Sequence, residues 1–147
     1  MMTVKVKKLQ AGAILPTYGS QAAAGADLYA LLDGESLEIA AGETVLIGTG
    51  LALEIPEGYV GLIYARSGLA TKKGLAPANK VGVIDSDSRG ELKVALYNQS
   101  GKAQTIAAGE RIAQLVIAPY LSASFEEADD LSDTVRGAGG FGSTGSR

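Results

Sequence analysis

The chain never keeps one hydrophobic pattern for long. Short runs rich in β-branched and aromatic residues are cut by turn signals every few positions, and no segment sustains the 3.6-residue period of a helix. Val4–Leu9, Thr44–Ile47, Leu51–Ile55, Tyr59–Tyr64, Val81–Ile84, Leu92–Tyr97 and Arg111–Pro119 read as strands. Asp33-Gly34, Pro56-Glu57-Gly58, Ser88-Arg89-Gly90 and Ser100-Gly101 read as the turns between them. Twenty glycines in 147 residues, about twice the usual ~7% share, fit that density of turns. Only Leu69–Lys73 has room for about one helical turn. Many short strands without helices predict an all-β protein, a jelly-roll β-barrel or sandwich. Val4 and Val6 alternate with Lys5 and Lys7, the pattern of an edge strand guarded by lysine.

Composition then removes whole classes of chemistry. With no cysteine and no histidine, disulfides, thiolate or imidazole metal sites, and histidine-based triads are all excluded. A general base must be a carboxylate, lysine or tyrosine. The net charge of −3 argues against a nucleic-acid backbone binder, so any anion must be met by a few concentrated groups. No apolar run approaches ~20 residues and MMTVKVKKLQ lacks a signal-peptide core, so no membrane association and a cytoplasmic, soluble protein are expected.

The pentapeptide IAAGE occurs at Ile39–Glu43 and again at Ile106–Glu110, each time before a strand-like run, which predicts two similar turns leading into strands. After Leu121 the texture changes. Five acidic residues between Glu126 and Asp133 precede RGAGGFGSTG, Arg136–Gly145. Residues 1–121 therefore read as the folded domain and 122–147 as a glycine-rich C-terminal arm, mobile unless docked.

Five stretches carry chemistry. In AGADL (Ala24–Leu28) an aspartate, Asp27, stands in an apolar setting. In ARSGLA (Ala65–Ala70) Arg66 offers a planar fork of donors, Ser67 a hydroxyl, and Gly68 an approachable backbone. Alone, this is either a phosphate grip or an arginine in a surface turn. VGVIDSDSRG delivers Asp85 at the end of an apolar run, with Asp87 on the same face if the strand continues. There a carboxylate either activates water or holds a hard cation, or it is simply a turn residue. In GERIAQL (Gly109–Leu115) strict alternation places Gln114 with Ile112, facing a site or buried and satisfied by backbone. In the arm, Arg136, four flanking glycines, Ser143 and Thr144 suit a loop closing on phosphates, and Phe141 suits stacking on a base; a disordered polar tail has the same composition.

Taken in order and spacing, these five stretches resemble the five motifs of the trimeric dUTPases, from about Ala24 to Gly145. The resemblance implies a β jelly roll assembled as a homotrimer with sites shared between subunits. It implies Mg²⁺-assisted hydrolysis of dUTP to dUMP and pyrophosphate, which limits uracil incorporation into DNA and supplies dUMP for dTMP synthesis. By motif position, Asp85 would activate the water that attacks the α-phosphorus. Arg66, Ser67, Gly68 and Gln114 would hold phosphates, and Asp27 would assist the metal through water. Asn79 and the hairpin backbone around Val83, Ile84 and Lys93 would read uracil. Arg136, Gly142, Ser143 and Thr144 would grip the terminal phosphates, with Phe141 over the base, on an arm reaching a neighbouring subunit.

One position departs from the pattern. Where the family usually has a tyrosine packed against the deoxyribose, this chain has Ser88. Loss of that ring implies weaker rejection of UTP.

Overall fold

The computed structural model describes residues 1–147. Eleven strands and one helix follow one another: Lys5–Lys8 (β1), Thr17–Tyr18 (β2), Ala26–Tyr29 (β3), Ser36–Ile39 (β4), Thr44–Glu54 (β5), Tyr59–Tyr64 (β6), Ser67–Lys73 (α1), Leu75–Pro77 (β7), Gly82–Ile84 (β8), Glu91–Asn98 (β9), Gln104–Ala107 (β10) and Arg111–Pro119 (β11). They form a sheet of order β1-β5-β9-β7, a sheet of order β2-β3-β11-β6-β8, and a small pair β10-β4. Consecutive strands repeatedly change sheet, so the two large sheets face each other as a jelly-roll sandwich. Ile47, Val94 and Leu96 on one sheet meet Leu28, Ile63 and Leu115 on the other in a single core.

The strands Tyr59–Tyr64 and Arg111–Pro119 coincide with their sequence expectations, and β1 is the expected lysine-guarded edge. Two expected strands, Thr44–Ile47 and Leu51–Ile55, are instead one. β5 continues through Gly48-Thr49-Gly50, absorbing the irregularity as a register shift against β9 between Gly48 and Ala52. The helix is seven residues rather than a single turn, because Ser67 and Gly68 join it. Gly74, at φ 68°, closes it by donating to Ala70 and Leu69 carbonyls, while Leu69 anchors it in the core.

The repeated IAAGE turns form a matched pair. Ile39 closes β4 and Ile106 lies in β10, and these strands pair antiparallel. Both isoleucines are fully buried. In each copy the glutamate amide donates to the first alanine carbonyl (Glu43 to Ala40, Glu110 to Ala107, both 3.0 Å), and the glycine takes positive φ (76° and 78°). The repeat is therefore structural.

Asn98, at the end of β9, ties this corner down. It is wholly buried. Its Nδ2 donates to the carbonyls of Ile39 (2.9 Å) and Lys102 (2.8 Å), and its Oδ1 accepts from the Ser100 amide (2.9 Å) and hydroxyl (2.7 Å). All four hydrogen-bonding sites of the amide are used.

Beyond Pro119 the chain makes one more bond to the body, from the Tyr120 amide to Gly58 O (3.1 Å). Residues 122–147 hydrogen-bond only among themselves. Phe141 is fully exposed and holds a positive φ of 46°, a conformation unusual for a bulky side chain.

Candidate active site

Three motifs converge on the outer face of the five-stranded sheet. Asp27 is 8% exposed on β3, and its carboxylate lies between two guanidiniums. Arg66 Nε donates to Oδ1 at 2.9 Å, and Arg111 NH1 to Oδ2 at 3.4 Å. Two cations against one carboxylate leave a net charge of +1 at this point of an otherwise acidic protein, the concentrated positive patch an anionic ligand requires. Only the Nε of Arg66 is engaged, leaving the rest of its fork without a hydrogen-bond partner in the chain. Ser67 and Gly68 follow, both exposed, and a Cβ built on Gly68 would meet nothing within 4 Å, leaving its backbone open to close approach.

Gln114 stands opposite Asp27 across the β3–β11 pair. It does not point with Ile112, as strict alternation predicts. A register shift between Arg111 and Ala113 inserts an extra residue, sending Ile112 into the core with Ala113 and Leu115. Arg111 and Gln114 are thereby left together on the outer face. Gln114 Nε2 donates to Ala65 O at 2.8 Å, so the backbone-satisfied reading of this glutamine holds for its amide nitrogen. The bulge also explains why Arg111 was not legible as a partner of Asp27.

Gly25 completes the interlock. A Cβ there would collide with Gln114 Oε1 and lie 2.9 Å from its Cδ. The glycine of AGADL thus makes room for the glutamine of GERIAQL, which fastens to the alanine before Arg66. Gly25→Ala is expected to turn Gln114 away from Ala65 and weaken triphosphate binding about 10-fold, the scale of one charge-assisted contact of ~1.5 kcal/mol. Titration with a non-hydrolysable dUTP analogue checks this; unchanged affinity would show that Gln114 has no part in the grip.

The base-reading candidates gather elsewhere. Asn79, Val83, Ile84 and Lys93 line a cavity of about 160 Å³. The expected hairpin is not a paired one, because β8 pairs with β6 in one sheet while β9 pairs with β5 and β7 in the other. The two strands splay apart where the sheets separate. β8, partnered only on its β6 side, turns a free backbone edge into the cleft.

Asp85 follows β8 directly and lies in a turn, where the Ser88 amide donates to Asp85 O (3.1 Å). Asp87 is consequently a turn residue and not a strand neighbour on the same face. Both aspartates border a broader depression of about 820 Å³ with Leu62, Val83 and Arg89. Arg89 braces the turn, its NH1 donating to Ser86 O (2.6 Å) and Ser88 O (2.9 Å), a contribution the sequence reading did not identify.

These groups do not meet within one chain. Gln114 stands opposite Tyr64 on β6, and Asp85 extends the β6–β8 register towards Val60. At ~3.3 Å per residue along the strand and ~4.8 Å between strands, Asp85 and Gln114 are about 16 Å apart. The arm residues Arg136, Phe141, Gly142, Ser143 and Thr144 approach neither cluster. They are exposed, and Arg136 Nε folds back on Gly139 O (2.8 Å).

No group of three or more carboxylates gathers to cage a cation. Asp27, whose oxygens each keep a free lone pair beside the guanidiniums, suits a water-mediated approach to a cation carried on phosphates. Mg²⁺ retains its waters readily in such settings.

A β-sandwich with a dense cationic grip, an open strand edge beside a base-sized cavity and an exposed carboxylate defines a nucleotide-binding jelly roll. Within that class the assignment is specific: the dUTPase family model matches residues 11–145, and the chain belongs to that family. It is 54% identical to the deoxyuridine 5'-triphosphate nucleotidohydrolase of Nautilia profundicola over 98% of this chain and 99% of that protein. It is 51% identical to that of Hydrogenobaculum sp. over the same shares. Among solved structures, the Staphylococcus bacteriophage 80alpha dUTPase with dUPNHPP superposes with a TM-score of 0.89 at 30% identity, covering 99% of both chains. No helix is long and apolar enough to cross a membrane.

Proposed function

We propose that this protein hydrolyses dUTP to dUMP and pyrophosphate at a site assembled from more than one subunit of a homotrimer. The observation that carries the shared site is the register, which sets Asp85 and Gln114 about four residues along and two strands across the same sheet, roughly 16 Å at ideal spacing within one chain. A triphosphate held by Arg66, Ser67, Gly68 and Gln114 presents its α-phosphorus to an Asp85 of a second chain. The arm adds a second argument. Phe125, Leu131, Val135 and Phe141 are all at least 87% exposed, an apolar load that only docking on another surface removes from water.

Within that site the base enters the cleft between β8 and β9, where Asn79 and the free edge of β8 around Val83 and Ile84 supply hydrogen bonds. Asp85 accepts a proton from water as its oxygen bonds to the α-phosphorus. The bond from that phosphorus to the α–β bridging oxygen breaks, and pyrophosphate leaves. Arg66 and Gln114 hold the phosphates in line, while Arg136, Ser143 and Thr144 of a closing arm cover them and Phe141 stacks on the uracil. Mg²⁺, borne on the phosphates with Asp27 reaching it through water, would neutralise charge and polarise the reacting phosphoryl group. Neither histidine nor cysteine is needed, because positioning and charge neutralisation dominate this chemistry.

The test is product analysis with Mg²⁺ and, separately, dUTP, UTP, dTTP and dCTP. Release of pyrophosphate and dUMP from dUTP supports the reading. Ammonia from dCTP would place the chain with the deaminases of the same superfamily, and binding of dUTP without turnover would make it a regulator. Because Ser88 stands where the family carries a tyrosine, UTP turnover is expected as well. Ser88→Tyr should raise the dUTP/UTP preference roughly 2- to 12-fold, matching ~0.5–1.5 kcal/mol of ring contact. An unchanged ratio would mean that another group already occupies the ribose face.

A further inference from the structure

The half-buried carboxylate of Glu91 has no cationic partner, since none of the ion pairs includes it. A carboxylate withdrawn from water without a counter-charge is costly, so its retention calls for a reason. Its Oε2 accepts from the Gly50 amide at 3.1 Å. It also fills the notch beside Gly48, where any Cβ would collide with it. This is the interruption of the β5–β9 ladder, between the pairs Gly48–Lys93 and Ala52–Glu91. Directly behind it the buried Thr49 hydroxyl donates to Leu92 O (2.7 Å). Residues 91 and 92 are thus held from the β5 bulge by two side-chain bonds, one in each direction.

The position of that clasp matters. On one side of Glu91 only Gly90 and Arg89 intervene before the Asp85–Ser88 turn. Two residues further on lies Lys93, in the wall of the base cavity. We propose that Glu91 is a positioning residue, its clasp on the β5 bulge holding the Asp85 turn in fixed relation to the base cleft. The inference rests on the assignment of Asp85 to water activation. The Glu91 carboxylate reaches the Gly50 amide through the space that the absent Cβ of Gly48 leaves open.

The experiment compares Glu91→Ala, Glu91→Gln, Gly48→Ala and the double Gly48→Ala/Glu91→Ala variant with wild type and Asp85→Asn. kcat, KM and the stoichiometry of a bound imido analogue of dUTP are measured for each. Glu91→Ala and Gly48→Ala should each lower kcat about 10-fold or more at full analogue stoichiometry, a pattern that loss of folded protein does not produce. Gly48→Ala evicts the same carboxylate, so the double variant should be within about 2-fold of the worse single one. Glu91→Gln keeps an acceptor oxygen and should stay within about 3-fold of wild type. An unchanged kcat in Glu91→Ala overturns the proposal, as do losses that follow stoichiometry or that multiply in the double variant. If Glu91→Ala does not fold, Gly48→Ala decides alone, by its kcat at full stoichiometry. Asp85→Asn keeping its activity would instead fault the assignment beneath the proposal.

Discussion

Asp85→Asn should lower dUTP turnover by about 10²- to 10⁴-fold, the range set by removal of a positioned general base, while the non-hydrolysable analogue still binds. Asparagine keeps the size of the side chain and its place in the turn, but it cannot accept the proton from water. The variant also tests how sites are built. A chain ending at residue 121 lacks Arg136 and Phe141 but keeps Asp85; the Asp85→Asn chain has the arm but no base. Each alone should be inactive. After subunit exchange in an equal mixture, about one quarter of all sites, one in every mixed trimer, should draw Asp85 from one parent and the arm from the other, restoring activity. A mixture that is demonstrably exchanged yet as inactive as its parents would place arm and base in the same chain.

Asn98→Ala should be the most damaging single change outside the site, costing about 3–4 kcal/mol. It removes four hydrogen bonds at once and strands the buried carbonyl of Ile39 and the groups of the Ser100–Lys102 turn. For a chain of this length that corresponds to a Tm lowered by roughly 10 °C. Calorimetry or a denaturant midpoint at fixed protein concentration checks it. A loss below about 1 kcal/mol would mean that water enters and replaces the amide. Asp→Asn in the site and Asn→Ala in the corner should therefore separate cleanly, one losing chemistry without stability and the other stability first.

The legible parts of the fold are the bounds of compact β-forming runs closed by turn signals. β6 and β11 were readable to the residue in extent, but the bulge in β11 hid which way Ile112 faces. β3 was not, since Ala26, Asp27 and Leu28 are all buried and nothing alternates. β2 and β7, of two and three residues, carry too little pattern to be seen. The site divides the same way. Its residue types were legible from motif order. Their grouping was not, because it depends on the bulge after Arg111, which reverses one side chain, and on the parting of β8 from β9. Gly25 and Gly48 show a further limit: each is explained only by a side chain more than forty positions away.

The open edge of β8 has a consequence for how such a protein changes over generations. Where a base is recognised by side chains, one codon change can redirect the choice. An edge of main chain offers no such handle, because every amino acid except proline presents the same amide and carbonyl. Val83, 61% exposed on that strand, is thus free to vary without altering what the edge displays. Under the proposed reading of the base, with Asn79 the one side chain that joins the edge, preference for one base rests mainly on the path of the backbone, sheltered from most point mutations and costly to reinvent.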